Sequence, residues 1–176
     1  VDTIRLELSQ RRAGGAEYVL LTPGNYGAEF IRTSLGLDPE RALQTSNFIG
    51  ESLDLCRELG FRGALLVGHI GKLVKLAGGV MNTHSRTADC RTELLCAHAA
   101  LCGASRDVCA ALMNAATTDA CMEILDGAEM REPVLSSLLD AILADMDNPE
   151  LNARLRQLAE EKQKLKEQIA ALEQNE

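Results

Sequence analysis

The sequence is poor in aromatic residues, at 3% with no tryptophan, so any core must be built from aliphatic side chains. It lacks an apolar run near the ~18 residues that a membrane-spanning helix requires. Its N-terminus, Val1-Asp2-Thr3-Ile4-Arg5, carries neither the basic nor the apolar block of a secretory signal. These absences make a cytoplasmic protein without a membrane partner the expectation. Positive charge is also short. Against 26 Asp and Glu there are 18 Lys and Arg, and the net charge of −8 disfavours nucleic acid and anionic lipid as partners. An anionic small molecule stays admissible where basic side chains gather locally. The six cysteines, at 56, 90, 96, 102, 109 and 121, form no Cys-x-x-Cys pair. The spacing of six between several of them turns side chains to different faces of a helix. They read as reduced, mostly buried thiols, and no metal site is expected.

What is present is a globular profile. Hydrophobic residues make up 46% and charged residues 25% of the 176 positions, enough for one domain of ordinary size. Residues 2–12 set Ile4, Leu6 and Leu8 among charges, as in a helix that ends before Ala13-Gly14-Gly15. Tyr18-Val19-Leu20-Leu21 has the continuous apolar character of a strand covered on both faces. Thr22-Pro23-Gly24-Asn25-Tyr26-Gly27 breaks it, and a helix is expected over 28–35. The pattern then recurs. Ala42-Leu43-Gln44-Thr45 reads as a strand, Ser46-Asn47-Phe48-Ile49-Gly50 as a loop, and 51–59 as a helix. Ala64-Leu65-Leu66-Val67 is the clearest strand, followed by Gly68-His69-Ile70-Gly71 and a helix starting near Lys72.

Three rounds of strand, glycine-bearing loop and helix imply parallel pairing with right-handed crossovers, an α/β fold. In such sheets ligands bind beyond the carboxyl ends of the strands, which places all three loops on one edge. From Ala88 to about Leu143 the chain reads as helical, with breaks near Gly103-Ala104-Ser105, near Asp126-Gly127 and at Pro133. Ser105 and the neighbourhood of Thr118 offer caps for the helices that follow.

The tail differs in kind. Leu158, Leu165 and Leu172 fall at heptad position d, while Leu155, Lys162 and Ile169 fall at a, the pattern of a two-stranded coil. A helix of about three heptads is marginal alone in water. It is expected to pair with a second copy, giving a homodimer, or to pack on its own domain. The expected organisation is therefore residues 1–147 as an α/β domain and 148–176 as a coiled-coil-like terminal helix, native or appended.

The loops carry the polar groups. Gly24 and Gly27 flank Asn25-Tyr26, so the backbone can turn sharply and approach a ligand, although many strand-to-helix turns use glycine for geometry alone. Gly68-His69-Ile70-Gly71-Lys72 is not a phosphate loop. Too few residues separate the glycines, and Leu73 stands where a magnesium-holding Ser or Thr would. Nor is there a Gly-x-Gly-x-x-Gly fingerprint. His69 suits either a general acid or base or a hydrogen-bonded ring that fixes the loop. Lys72, beside the positive end of a helix dipole, is expected to face an anion. Met81-Asn82-Thr83-His84-Ser85-Arg86 is the densest polar stretch. It reads either as a solvated loop or as a site where Arg86 pairs with a substrate carboxylate. His98, in an Ala- and Leu-rich helical run, reads as a core or interface histidine.

Three segments together carry a family resemblance. They are Thr22-Pro23-Gly24-Asn25-Tyr26-Gly27, Ser46-Asn47-Phe48-Ile49-Gly50-Glu51, and the block from Leu65 to Gly79 that continues through Asn82-Thr83-His84-Ser85-Arg86 to Ala97-His98-Ala99-Ala100. Over roughly residues 1–145 the chain resembles the C-terminal domain of the CbiD family, the cobalt-precorrin-5B C(1)-methyltransferases of anaerobic cobalamin biosynthesis. The resemblance implies a Rossmann-like parallel sheet with flanking helices. It also implies methyl transfer from S-adenosylmethionine to a ring carbon of a corrinoid, with cobalt present only as part of that substrate. On this reading Thr22, Gly24, Asn25, Tyr26, Gly27, Ser46, Asn47 and Gly50 serve the methyl donor. Lys72, Lys75, Asn82, Thr83, Ser85, Arg86 and Arg91 bind the acidic arms of the corrinoid, and His69 and His84 handle a proton at the macrocycle. Members of the family carry a further N-terminal domain and close with a short strand where this chain has its heptad tail. The competing expectation is a catalytically silent corrinoid-binding or assembly module dimerised through that tail.

Overall fold

The alternation of apolar runs and glycine-bearing turns becomes three parallel strands joined by helices in the computed structural model, which describes residues 1–145. Helix α1 (Asp2–Ala13) buries Ile4 and Leu8 and ends at Gly14. Strands β1 (Tyr18–Thr22), β2 (Ala42–Gln44) and β3 (Gly63–Leu66) lie in the order β2-β1-β3. Leu20 is in register with Ala42 on one side and with Leu65 on the other. Helices α2 (Asn25–Thr33) and α3 (Ile49–Glu58) make the two crossovers.

The sheet is covered unequally. On one face Val19, Leu21 and Leu43 pack with Ile4 and Leu8 of α1 and with Leu55 and Cys56 of α3. The other face has the smaller cluster of Ile31, Ala42 and Val67, with Leu20 against it. The strand that reads most clearly in sequence is therefore an edge strand with Leu65 half exposed, and Tyr18 of the central strand is 63% exposed. Period and composition mark a strand as apolar. They do not say how many layers cover it.

Helix α2 begins three residues earlier than the sequence suggests, because Gly27 belongs inside it. A Cβ at Gly27 would lie 2.1 Å from Thr22 Oγ1 and 2.6 Å from the Val67 carbonyl oxygen. The glycine lets the first turn of α2 sit directly on the ends of β1 and β3, and the turn signal of the sequence is in fact a packing requirement. After β3 comes a single helical turn, α4 (Ile70–Leu73), and a 3-10 segment, Val74–Gly78, in place of a long helix.

The rest is helical. Helices α5 (Arg91–Leu101), α6 (Arg106–Met113), α7 (Thr118–Gly127) and α8 (Arg131–Asp145) enclose an aliphatic core of Val74, Leu95, Ala99, Leu112, Leu125, Val134 and Leu138. Ser105 Oγ accepts from the Val108 N–H at 3.3 Å and Thr117 Oγ1 from the Ala120 N–H at 3.1 Å, so the caps fall where short hydroxyl side chains precede apolar periodicity. Pro133 is not a break. It occupies the third position of α8, where an N–H needs no helical partner. His98 joins α5 to α8 through Nδ1, 2.8 Å from Ser137 Oγ. All six cysteines are unpaired, and burial pushes the Cys56 thiol up to about 11, which makes it unreactive near neutral pH. The heptad-patterned segment 148–176 lies outside the described residues.

Candidate functional site

The ends of three parallel strands release three loops on one rim, and one side chain ties them together. Lys72 Nζ donates to the Pro23 carbonyl of the first loop at 2.6 Å, to Asn47 Oδ1 of the second at 3.0 Å, and approaches the Ser46 carbonyl at 3.4 Å. Ser46 takes the left-handed conformation at φ 53°, which costs a non-glycine residue on the order of 1 kcal/mol or more and leaves its carbonyl near this ammonium. Burial, then the neighbouring Lys75, hold the Lys72 ammonium below its usual basicity. Within the chain this lysine thus bonds neutral carbonyl and amide oxygens rather than an anion.

A second lysine repeats the device. Lys75 is 3% exposed, and its Nζ donates to the Ala88 carbonyl at 2.8 Å and the Thr83 carbonyl at 3.3 Å, with Asp89 at 3.9 Å. Thr83 in turn donates its N–H to the Asn47 carbonyl at 3.0 Å, and the Gly50 N–H donates to the Met81 carbonyl at 3.1 Å. The chain from 81 to 88 is therefore stitched to the second loop on one side and to Lys75 on the other. His84, Ser85 and Arg86 project from it and are exposed. The loop is closed by the Arg86 N–H donating to His84 Nδ1 and the His84 N–H donating to Asn82 Oδ1, at 3.1 and 3.2 Å.

The rim opens into a cavity of about 310 Å³ between the first loop, the third loop and the start of α7. Gly24, Tyr26 and Gly27 line it from the first loop and His69, Gly71 and Lys72 from the third. Arg91, Thr117, Thr118 and Asp119 close the helical side. The third loop can approach α7 because Gly71 has no side chain; a Cβ there would lie 2.8 Å from Thr118 Oγ1. A neighbouring hollow of about 150 Å³ shares Arg91, Thr117 and Thr118.

The ring of His69 is engaged at both nitrogens. Nδ1 accepts from the Gly71 N–H at 3.1 Å, capping α4, and Nε2 lies 3.2 Å from Asp119 Oδ1. Tyr26 stacks obliquely at a ring distance of 5.4 Å. Arg91 donates from Nε and Nη2 to the two oxygens of Asp89, at 2.6 and 2.9 Å. The bonded guanidinium, more than the opposing penalty of burial, keeps the Asp89 carboxyl below the ordinary range, and the same bond pushes Arg91 up.

Of the residues singled out in the sequence, the cavity gathers Gly24, Tyr26, Gly27, His69, Lys72 and Arg91. Ser46 and Asn47 stand beside it, connected through Lys72, Gly50 is bonded to Met81, and Asn82–Arg86 form an adjoining outer rim. Lys75 is spent inside the fold. Thr22 is fully buried, its Oγ1 donating to the Gly24 carbonyl at 3.0 Å. Thr117, Thr118 and Asp119 read in sequence only as a helix cap, because a Thr-Thr-Asp run at a helix start carries no mark of a cavity wall. Among the described residues no cluster of three or more His, Cys, Asp or Glu side chains could hold a metal ion.

Comparison with known proteins now bears on this rim. Residues 82–149, which include the outer rim and helices α5 to α8, match the family model described as CbiD, C-terminal domain. This stretch is similar to the C-terminal domain of the CbiD family. The chain is 44% identical over 142 residues to a cobalt-precorrin-5B C(1)-methyltransferase of Ruminiclostridium cellulolyticum, covering 81% of this chain and 37% of that protein. The protein of the same name from Photorhabdus laumondii is 46% identical over 123 residues, 70% of this chain and 32% of its own. That of Clostridioides difficile is 37% identical over 130 residues, 74% of this chain and 32% of its own. The chain thus spans about a third of the length of the curated CbiD relatives it matches. No solved structure matches it.

Proposed function

We propose that this chain forms the methyl-donor site, and part of the corrinoid site, of a cobalt-precorrin-5B C(1)-methyltransferase that uses S-adenosylmethionine. The observation that carries the reading is the cavity of about 310 Å³ at the carboxyl ends of β1 and β3, in a chain similar to CbiD proteins. Its size lies within the range of small-molecule sites, and its position is where parallel sheets bind ligands. The first and third loops and α7 take the donor. The second loop, through Asn47 and Gly50, supports the wall instead of touching the ligand.

The sulfonium methyl of the donor is already activated, so the residues present need to position two reactants rather than create a nucleophile. Lys72 and Lys75 act by holding the loops in register. The acidic arms of the corrinoid meet the exposed outer rim, where Arg86 supplies a guanidinium, Asn82 an amide and Ser85 a hydroxyl, while Thr83, buried behind them, holds the rim to Asn47. His84, exposed on that rim, is the candidate for proton transfer at the macrocycle. The functional unit on this proposal is residues 1–147. The heptad spacing of 148–176 is read as a dimerising segment, which sedimentation of the chain with and without residues 151–176 tests. Unpaired thiols and the absence, among the described residues, of any helix long and apolar enough to cross a membrane suit a cytoplasmic site of action.

Calorimetry with S-adenosylhomocysteine tests the central claim. Saturable heat that is lost in a Gly27→Val variant retaining its helical circular dichroism supports it. A folded chain that shows no heat, with corrinoid present or absent, supports the silent assembly module.

A further inference from the structure

Asp119 and Arg91 stand in one cavity with opposite charges, each held by a group that is not a ligand. The hydrogen bonds assign the state of the first pair. His69 Nδ1 accepts from the Gly71 N–H at 3.1 Å, so that nitrogen carries no proton. The ring proton of the neutral imidazole is then on Nε2 and points at Asp119 Oδ1, 3.2 Å away. Taking up a second proton would place an N–H against the Gly71 N–H and undo the cap of α4. His69 is therefore a positioning residue that aims a carboxylate. A carboxylate accepts at two oxygens, so Asp119 retains capacity for a donor on a ligand, and its side chain is 73% exposed.

Arg91 is aimed in the same manner. Asp89 takes its Nε and Nη2, and a guanidinium has five N–H donors in a rigid plane, so donors remain for a second acceptor. Arg91 borders both the main cavity and the neighbouring hollow, with Thr117 and Thr118 lining both beside it. Lys72, the other cation of the cavity, is occupied by Pro23 and Asn47.

A phosphate-bearing ligand would meet Asp119 as a like charge. A neutral nucleoside would leave both ionic groups unmatched. The chemistry that satisfies a carboxylate and a guanidinium lining one cavity is an α-amino acid zwitterion. We propose that Asp119 receives the ammonium, and Arg91 the carboxylate, of the amino-acid end of the sulfonium donor, with His69 fixing the acceptor. The nucleoside then extends along Gly24, Tyr26 and Gly27. This assignment rests on the donor-binding reading above.

The test compares S-adenosylhomocysteine with 5′-methylthioadenosine, the same nucleoside thioether without the amino-acid end, by calorimetry on the full chain. The native chain is expected to bind the first more tightly. Asp119→Asn, an isosteric change at an exposed site, should weaken S-adenosylhomocysteine by about tenfold or more, the scale of a lost charged hydrogen bond, and leave methylthioadenosine unchanged. Arg91→Gln should act in the same direction, and an unchanged melting temperature of Asp119→Asn certifies the fold. Binding of neither ligand by the native chain overturns the donor site itself. Equal affinity of the native chain for both, equal losses for both in Asp119→Asn, or no loss for either, overturns the amino-end assignment while the donor site stands.

Discussion

The two halves of this protein are held together by different forces. The helical half, from α5 to α8, rests on close-packed aliphatic side chains, with Leu95, Leu112, Leu125 and Val134 fully buried. The rim of the sheet half rests on lysine ammonium groups bonded to loop carbonyls, in a region whose sheet is covered thinly on one face. Apolar packing is non-directional and is set by how well side-chain shapes fill the interior. Hydrogen bonds from the ammonium of one loop to the other two specify where each loop stands. The cavity lies between the two halves, with a rigid helical wall on one side and a tethered wall on the other.

The sharpest way to test this contrast is to open a cavity in the helical core. Leu112→Ala or Leu125→Ala should lower the unfolding free energy by about 2–5 kcal/mol in urea titrations, because the surroundings collapse only partly onto the hole. Next in size is Gly27→Ala. Its added methyl meets Thr22 Oγ1 and the Val67 carbonyl well inside contact distance, and a loss of about 1–3 kcal/mol is expected by the same measurement.

Lys72→Met keeps the apolar stem and removes the tether. The expected loss is about 1–2 kcal/mol, reduced from the full value of a charged hydrogen bond because the group is partly exposed. Amide hydrogen exchange should quicken over 22–27 and 45–50 while α5 to α8 keep their protection. Uniform quickening would show that the two halves are not separable in this way.

The smallest effect concerns acid. The folded-state pKa of Asp89 is depressed below 3.8, chiefly by its bond to Arg91, so the stability it contributes is present above that value. It is lost as pH falls through the lower folded value. The carboxylate is half exposed, so the slope should be shallow, and Asp89→Asn should remove it from urea midpoints measured between pH 5 and pH 2.

The α/β pattern was legible because strand and helix periods leave local marks: Val19, Leu21 and Leu43 announce buried strands, and Ser105 announces a cap. The shared edge of the three loops followed from the parallel direction of the strands, whose carboxyl ends lie together. The roles of charged residues were not legible in the same way. Lys72, Lys75 and Arg86 are alike as basic residues near glycine-rich loops, yet the first two turn inward onto carbonyls and the third stays in solvent. Nothing local separates these fates, because the partners are distant in sequence: Lys72 bonds residues 49 and 25 positions away. Asp119 was hidden for the same reason, since its meeting with His69 spans 50 residues.

By itself, then, the amino-acid order determined most of the elements, their parallel arrangement and the family resemblance, all of which depend on neighbours a few residues apart or on motifs read in line. Only the tertiary structure decided which glycines admit a backbone, which lysines are tethers and which carboxylate faces the cavity. Those outcomes depend on distances between segments that the periodicity of any one segment does not encode.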